Sequence, residues 1–343
     1  MSKNNIRQKT ILIAAAALLL FLSSCSHELP VHEDTEDVFN GEHEITTPSG
    51  DVYKGNFKDG LYEGLGIMTY SDGSKYEGEW KAGVWNGKGK YESSYGWTYE
   101  GDFVNGLREG SGTYTSDSFT YEGEWKKDEK SGKGKLVSTS GYSYEGEWQK
   151  DIKHGKGVFT YSNGDIFDGD FVDDKIEGSG KFTSHEKWVY EGTVKDGELT
   201  GEGTIKYADG SVYTGSIVDK QRQGEGVFIY PDGSSYEGNF EKNEFSGHGV
   251  FISSSGWEYE GDWANNIRSG NGKLIFSDGS YYDGAWTNDE RNGEGVQTYV
   301  SGGKVFATYI GEFRNGLRHG NGSLKYADGR EQTGIWENDD FIN

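Results

Sequence analysis

Glutamate and histidine are the residue types in this sequence that most often perform acid–base or metal chemistry, and their positions argue against both. The glutamates recur in pairs at a regular spacing, as at Glu122 and Glu124, which is typical of a solvated charged strand face. The seven histidines follow no such spacing: His27, His32, His43, His154, His185, His248 and His319. We therefore expect no catalytic residue, no metal site and no cofactor site, and we interpret the chain as a non-enzymatic protein.

Pairs of glycine with one residue between them, such as Gly155 and Gly157, are the next candidate for chemistry. A phosphate-binding loop needs a helix directly after its glycines, because the helix N-terminus holds the anion. No helical pattern follows any of these pairs. They are therefore interpreted as structural glycines.

Cys25 is the only cysteine, and its surroundings predict a modification. An apolar run of 12 residues, 11–22, follows a basic start, which is typical of a secretory leader and too short to span a bilayer comfortably. The run ends in Leu22-Ser23-Ser24-Cys25, which resembles the bacterial lipobox. The resemblance implies cleavage before Cys25, a lipid on its sulfur and an acylated amino terminus, for example with palmitate. The alternative is an ordinary secretory leader with an incidental cysteine.

Residue 26 bears on where such a lipoprotein would reside. Ser26, not Asp, follows Cys25, and in the enterobacterial pattern this predicts sorting to the outer membrane of the bacterial cell envelope. The membrane is thus one expected partner, contacted through the lipidated Cys25.

A phrase that recurs along the chain determines its architecture. Tyr76-Glu-Gly-Glu-Trp80 returns in strict or looser form, usually every 23 residues, and a truncated unit begins at Gln332. A fixed period of this length indicates a repeat array. The twelve full units begin at Tyr53, Tyr76, Tyr99, Tyr121, Tyr144, Phe167, Tyr190, Tyr213, Tyr236, Tyr259, Tyr282 and Tyr309.

Each unit has the pattern of a β-hairpin. Tyr76, Gly78 and Trp80 alternate with glutamates, as in a strand with two different faces. A turn is expected at the Gly83 position, which holds Gly, Asp or Asn in all units except the one with Lys220. Two further glycines, Gly87 and Gly89, are expected on the face that carries the rings, so that aromatic side chains cover bare backbone.

These motifs closely resemble the MORN (membrane occupation and recognition nexus) repeat over residues 53–343. The resemblance implies an all-β fold, an elongated single-layer antiparallel sheet or solenoid of about 12 tandem 23-residue hairpins. We divide the chain into a lipoprotein signal peptide (1–24), an acidic flexible tether (25–40), an N-terminal capping half-repeat (41–52), twelve repeats (53–331) and a partial C-terminal capping repeat (332–343).

Charge limits the possible partners. The formal net charge is −23, and removal of Lys3, Arg7 and Lys9 with the leader would leave 31 basic and 57 acidic residues, a net charge of −26. Such a chain is repelled by nucleic acid and by anionic lipid headgroups. We expect no nucleic-acid partner.

The aromatic face is the expected interaction surface, because a single sheet offers no second layer to bury it. The favoured interpretation is a lipid-anchored scaffold that binds a protein partner or itself, as a homo-oligomer, through this face. A cell-wall or carbohydrate-binding module and a phospholipid-binding MORN module are the alternatives. The residues assigned to the interaction face are Trp80, Trp125, Trp148, Trp263 and Trp286.

Hairpin tips show a substitution pattern of their own. The aromatic residue before the tip turn, such as Tyr207, is replaced by Ser in five units, and those five carry a ring just after the turn, such as Trp188 or Trp257. The two positions are expected to be cross-strand neighbours that share one space.

Overall fold

The computed structural model describes residues 39–343, so the leader and Cys25 lie outside the described residues. This part of the chain forms two compact units. The first contains the described residues up to Gly96 together with Phe103–Gly106, and the second contains Trp97–Asp102 together with Leu107–Asn343. Among residues 39–343 the regular structure is entirely β.

The first unit contains β1 (Gly41–Thr46), β2 (Val52–Lys58), β3 (Leu61–Thr69), β4 (Lys75–Lys81) and β5 (Val84–Glu92). Each of these strands pairs antiparallel with the next. The residues of β6 (Thr98–Val104) are divided between the two units.

The second unit continues with β7 (Leu107–Thr115), β8 (Phe119–Lys126), β9 (Glu129–Ser138), β10 (Ser143–Gln149), β11 (Ile152–Thr160), β12 (Ile166–Val172), β13 (Lys175–Thr183), β14 (Val189–Lys195), β15 (Glu198–Lys206), β16 (Val212–Val218), β17 (Gln221–Ile229), β18 (Ser235–Glu241), β19 (Glu244–Ile252), β20 (Glu258–Ala264), β21 (Ile267–Ile275), β22 (Tyr281–Thr287), β23 (Glu290–Ser301), β24 (Lys304–Arg314), β25 (Leu317–Tyr326), β26 (Glu331–Glu337) and β27 (Asp340–Phe341). Consecutive strands from β7 onward again pair antiparallel. The predicted all-β class and tandem hairpins are confirmed.

The turn inside each hairpin has the geometry that its residues favour. Gly83 has φ 84° and the residue before it, Ala82, has φ 49°. Two successive positive φ angles define a type I′ turn, whose twist matches that of the flanking strands. Lys220, the exception in the sequence pattern, adopts φ 63° as well. The expected positive φ at this position is therefore confirmed even where glycine is absent.

The two recurring glycines of the second strand have different roles, which corrects one expectation. The first, such as Gly87 with φ 93°, lies at a β-bulge, where the register shifts between Gly78 and Trp80. A Cβ on Gly87 would meet the carboxyl group of Glu79, so it does not lie beneath a ring. Instead, Glu79 accepts the Lys88 N–H next to the bulge at 2.9 Å. Positive φ rather than ring packing explains this glycine.

The second glycine lies beneath the first aromatic ring of the unit, as expected. Gly89 pairs directly with Gly78, and a Cβ on either would lie within 2.7 Å of atoms of Tyr76. The Tyr76 hydroxyl then donates to the Glu79 carbonyl oxygen at 2.9 Å. Eleven units carry this tyrosine, and in all eleven it is at most 1% exposed. These rings over paired glycines are the core of the protein.

The opposite face carries cross-strand pairs of glutamate and lysine. Glu145 lies opposite Lys135, with an Oε2–Nζ distance of 3.1 Å, and Glu191 lies opposite Lys181 at 3.4 Å. All four side chains are half exposed, so each pair contributes little stability.

Candidate interaction surface

The five tryptophans assigned to the interaction face are buried. Their exposed fractions lie between 4% and 8%, so these rings do not form the exposed apolar strip that the sequence suggested. Each indole N–H donates to the carbonyl oxygen of a glycine in the preceding repeat, at 2.8–3.2 Å. A buried indole needs such an acceptor, and here it joins neighbouring hairpins. The five residues are Trp80, Trp125, Trp148, Trp263 and Trp286.

Edge-to-face packing explains how the sheet buries these rings without a second layer. The Tyr121 ring meets Trp125 of its own repeat at 5.1 Å and 89°, and Trp148 of the next repeat at 5.3 Å and 85°. Tyr121 is thus enclosed by two neighbouring rings. Such pairs contribute about 0.5–1.5 kcal/mol each beyond the area they bury.

Burial also raises the pKa of the buried tyrosines. It raises the pKa of Tyr144 to about 12, because the phenolate would lose its hydration. Tyr213 shows the same effect, with its pKa raised to about 12. Their hydroxyl groups therefore stay protonated well above neutral pH, and each donates to a backbone carbonyl oxygen.

A row of cationic side chains lies over the rings, nine residues after the first aromatic of its repeat, and we call it the cation row. Arg108 lies 4.1 Å from the Trp125 ring centroid, and its Nε donates to Asp128 at 3.1 Å. Such cation–π contacts contribute about 0.5–2 kcal/mol. The sequence interpretation missed this row, although a cation at a fixed place in seven of twelve repeats was a usable signal. Its members are Arg108, Lys130, Lys153, Arg222, Arg268, Arg291 and Arg318.

The hairpin tips carry the remaining rings, and these are partly exposed. Trp257 stacks on Phe251 with centroids 5.0 Å apart, and Trp188 stacks on Phe182 at 5.1 Å. The positions before and after the tip turn are hydrogen-bonded across it: the Ser253 N–H donates to the Trp257 carbonyl at 2.8 Å. The expected cross-strand proximity of these two positions is present.

A residue swap tests whether the two tip positions share one space. Ser211 is buried and its backbone carbonyl accepts the Tyr207 N–H at 2.9 Å. We expect Tyr207→Ser to destabilise the protein, and Ser211→Trp in the same chain to recover part of that loss. Coupling between such neighbours is typically about 0.5–3 kcal/mol. Denaturant unfolding of both single variants and the double variant measures it; additive losses would contradict the shared space.

Two depressions open on the aromatic face of the second unit. One, of about 380 Å³, is lined by the rings of Tyr230, Phe245, Phe251, Trp257 and Trp263 and by Asn266, Arg268 and Asp289. The other, of about 360 Å³, is lined by Tyr207, Asp209, Ser211, Lys220, Arg222, Phe228 and Asn243. Tip rings thus form one side of each depression and the cation row forms the other.

Groupings that would indicate metal chemistry or a membrane span are not found in the described residues. Among residues 39–343, no three His, Cys, Asp or Glu side chains converge as metal ligands. No helix in that part of the chain has the length and apolarity to cross a bilayer.

The comparisons with known proteins identify the repeat. The family model of the MORN repeat matches twelve segments: 53–75, 76–96, 99–119, 121–141, 144–166, 167–186, 190–212, 213–235, 236–258, 259–281, 282–304 and 309–329. All twelve repeat starts read from the sequence agree with these matches. No relative was found among the curated proteins.

Three solved structures match the chain at low sequence identity. The TCP domain of SAS-4 from Drosophila melanogaster, in complex with a proline-rich motif of Ana2, is 14% identical over 46% of this chain and 85% of that chain, with a TM-score of 0.30. A streptogramin B lyase is 11% identical over 88% and 90%, with a TM-score of 0.14. A catalytically inactive virginiamycin B lyase from Staphylococcus aureus with quinupristin is 12% identical over 88% and 86%, with a TM-score of 0.11. At TM-scores this low, no shared fold follows.

Proposed function

This chain belongs to the MORN-repeat family, and from that premise we propose that it is a non-enzymatic scaffold of the bacterial cell envelope. In this proposal Cys25 carries the lipid that holds the chain to the membrane. The aromatic side of the sheet then binds a protein partner, either another protein or a second copy of the chain.

The observation that carries this proposal is the division of the aromatic face into buried and accessible rings. The tryptophans and tyrosines of the first strands are buried in contacts that hold the repeats together. The tip rings are not, and Trp257 borders an aromatic depression of about 380 Å³. Partly exposed aromatic side chains around a depression are typical of sites where a partner side chain is anchored. The proposed surface therefore lies at the tips, and of the five buried tryptophans only Trp263 contributes to the lining of this depression.

Charge favours a protein over a phospholipid partner. The net charge of −23 repels anionic headgroups, and the proposed lipid on Cys25 would already supply attachment. A carbohydrate partner would need an open aromatic platform for stacking. Most rings of the aromatic face are enclosed by neighbouring rings, which leaves few such platforms.

The experiment compares two tryptophans at equivalent tip positions. Trp257→Ala should abolish capture of the partner from envelope extract, whereas Trp188→Ala should not, because Trp188 has the same stacking but lines neither depression. Parallel sedimentation with peptidoglycan and with anionic vesicles distinguishes the carbohydrate and phospholipid alternatives. Equal loss of the partner in both variants would contradict the proposed surface.

Anchoring is tested separately at Cys25. Cys25→Ala should leave the leader uncleaved or redirect the protein, and the protein should no longer partition into the detergent phase, because the lipid chains provide most of the membrane affinity. Cys25→Ser serves as a second variant of nearly equal size. If either variant fractionates with membranes as the unchanged protein does, the lipobox interpretation is wrong.

A further inference from the structure

The cation row has a regular partner in the following repeat. The three arginines Arg108, Arg268 and Arg318 donate from Nε to an aspartate carboxylate of the next hairpin turn at 3.0–3.1 Å. Lys130 and Lys153 reach the equivalent aspartates with Nζ at 3.1 and 2.8 Å. In all five cases the positive charge above the rings is balanced by a carboxylate that the fold itself supplies.

Arg222 departs from this rule. The equivalent residue of its next repeat is Asn243, whose Oδ1 accepts the Arg222 backbone N–H at 2.8 Å and whose carbonyl accepts Nη2 at 2.6 Å. Asparagine thus keeps the backbone contacts of aspartate but not its charge. Within residues 39–343, Arg222 Nε is buried with no hydrogen-bond partner, and Nη1 has none either. The guanidinium stays above Phe228, with its central carbon 4.6 Å from the ring centroid.

A second substitution increases the positive charge at the same place. Lys220 occupies the turn position that holds Gly, Asp or Asn in the other repeats, and it lines the depression of about 360 Å³ together with Arg222. Its contact with Glu198 is 3.7 Å long between two exposed groups and balances little of its charge. Asp209 lies on the tip side of the depression. Its Oδ1 accepts hydrogen bonds from the hydroxyl and the N–H of Ser211 at 2.7 and 2.9 Å.

We propose that the depression at Arg222 and Lys220 binds a carboxylate, an Asp or Glu side chain of the partner protein that replaces the charge missing at Asn243. An arginine gains most from a carboxylate because both groups are planar and can form two parallel hydrogen bonds. Tyr207 and Phe228 provide apolar walls for the methylene groups of the incoming side chain. This inference deepens the proposed function and rests on it, because it assumes that the partner is a protein.

Arg291 shows why the missing carboxylate alone does not make a site. The equivalent residue of its next repeat is Gly316, so this arginine also lacks an acid. Its Nη1, however, donates to the side chain of Gln297 at 2.6 Å, and Nη2 donates to the Gly316 carbonyl. Its outer nitrogens are therefore occupied, and it lines neither of the two depressions.

The test follows the arginine Nε–H resonances by NMR during titration of the folded protein with acetate at constant ionic strength. The Arg222 signal, assigned by its loss in Arg222→Lys, should shift and saturate, whereas the Arg268 signal should stay unchanged. Asn243→Asp restores the residue found in five other repeats, so it should fold normally and abolish the shift. Asp289→Asn should create an acetate-dependent shift at Arg268, beside the other depression.

Each result decides one point. A linear, non-saturating shift, or an equal shift in Asn243→Asp, would overturn the site. Tighter saturation by inorganic phosphate than by acetate would overturn the carboxylate assignment. A failed titration removes this site but leaves the scaffold proposal intact, because partner capture through Trp257 is measured independently.

Discussion

Gly134→Ala is expected to be among the most destabilising additions of a single methyl group to this protein. A Cβ on Gly134 would lie 2.6 Å from Cε2 of Tyr121 and closer still to its hydroxyl. Tyr121 is fully buried between Trp125 and Trp148, so its ring has nowhere to move. We expect a cost of roughly 3 kcal/mol or more, at or above the top of the usual range for overpacking.

Gly197→Asp is the matched control for this variant. Gly197 has φ 83° and no atom within 4 Å of its would-be Cβ, and other repeats place aspartate in the same turn, as at Asp128 with φ 69°. Gly197→Asp should therefore change the free energy of unfolding very little. Urea unfolding followed by circular dichroism measures both, and hydrogen exchange locates the loss, because stability in a repeat array is nearly a sum of local terms. A Gly134→Ala protein as stable as the control would contradict the assigned core.

The period, the hairpins and the turn positions could be predicted because each depends on local chemistry. The Gly83 position needs positive φ, and the alternation from Tyr76 to Trp80 defines two faces of one strand. Such information lies within one repeat. Because the same pattern recurs in twelve repeats, it is not a coincidence, and the sequence was sufficient to predict the period, the hairpins and the turns.

Burial of the tryptophans could not be predicted in the same way, because it depends on the neighbouring repeat. Trp125 bonds to a carbonyl of Gly112 and lies beneath Arg108, both in the hairpin before it. The position of a residue within a single strand indicates only on which face of the sheet its side chain lies. It does not indicate whether the neighbouring repeat covers that side chain. The first glycine of each pair was misplaced for a related reason, since the bulge next to Trp80 shifts the register by two residues.

Replacing Trp125 and Trp148 together by leucine is expected to unfold the surrounding repeats rather than to remove a binding surface. Both indole N–H groups donate to glycine carbonyls, at 3.0 and 3.1 Å. Arg108 and Lys130 lie over the two rings and would lose their cation–π contacts. Removing large buried side chains costs about 3–5 kcal/mol for truncation to alanine, and we expect roughly 2–4 kcal/mol per site for leucine. Urea unfolding and hydrogen exchange across the hairpins of these residues measure the loss.

Trp188 and Trp257, replaced together by leucine, are the control for this double variant. These two rings stack at hairpin tips, are only partly buried, and donate no side-chain hydrogen bond within the described residues. Their loss should cost far less stability, while the change at Trp257 should still remove partner binding. If the Trp125 and Trp148 double variant remained folded and lost only its partner, the buried rings would have to be accessible in solution. In that case the interaction surface would be the first-strand tryptophans after all, and the tips would be structural.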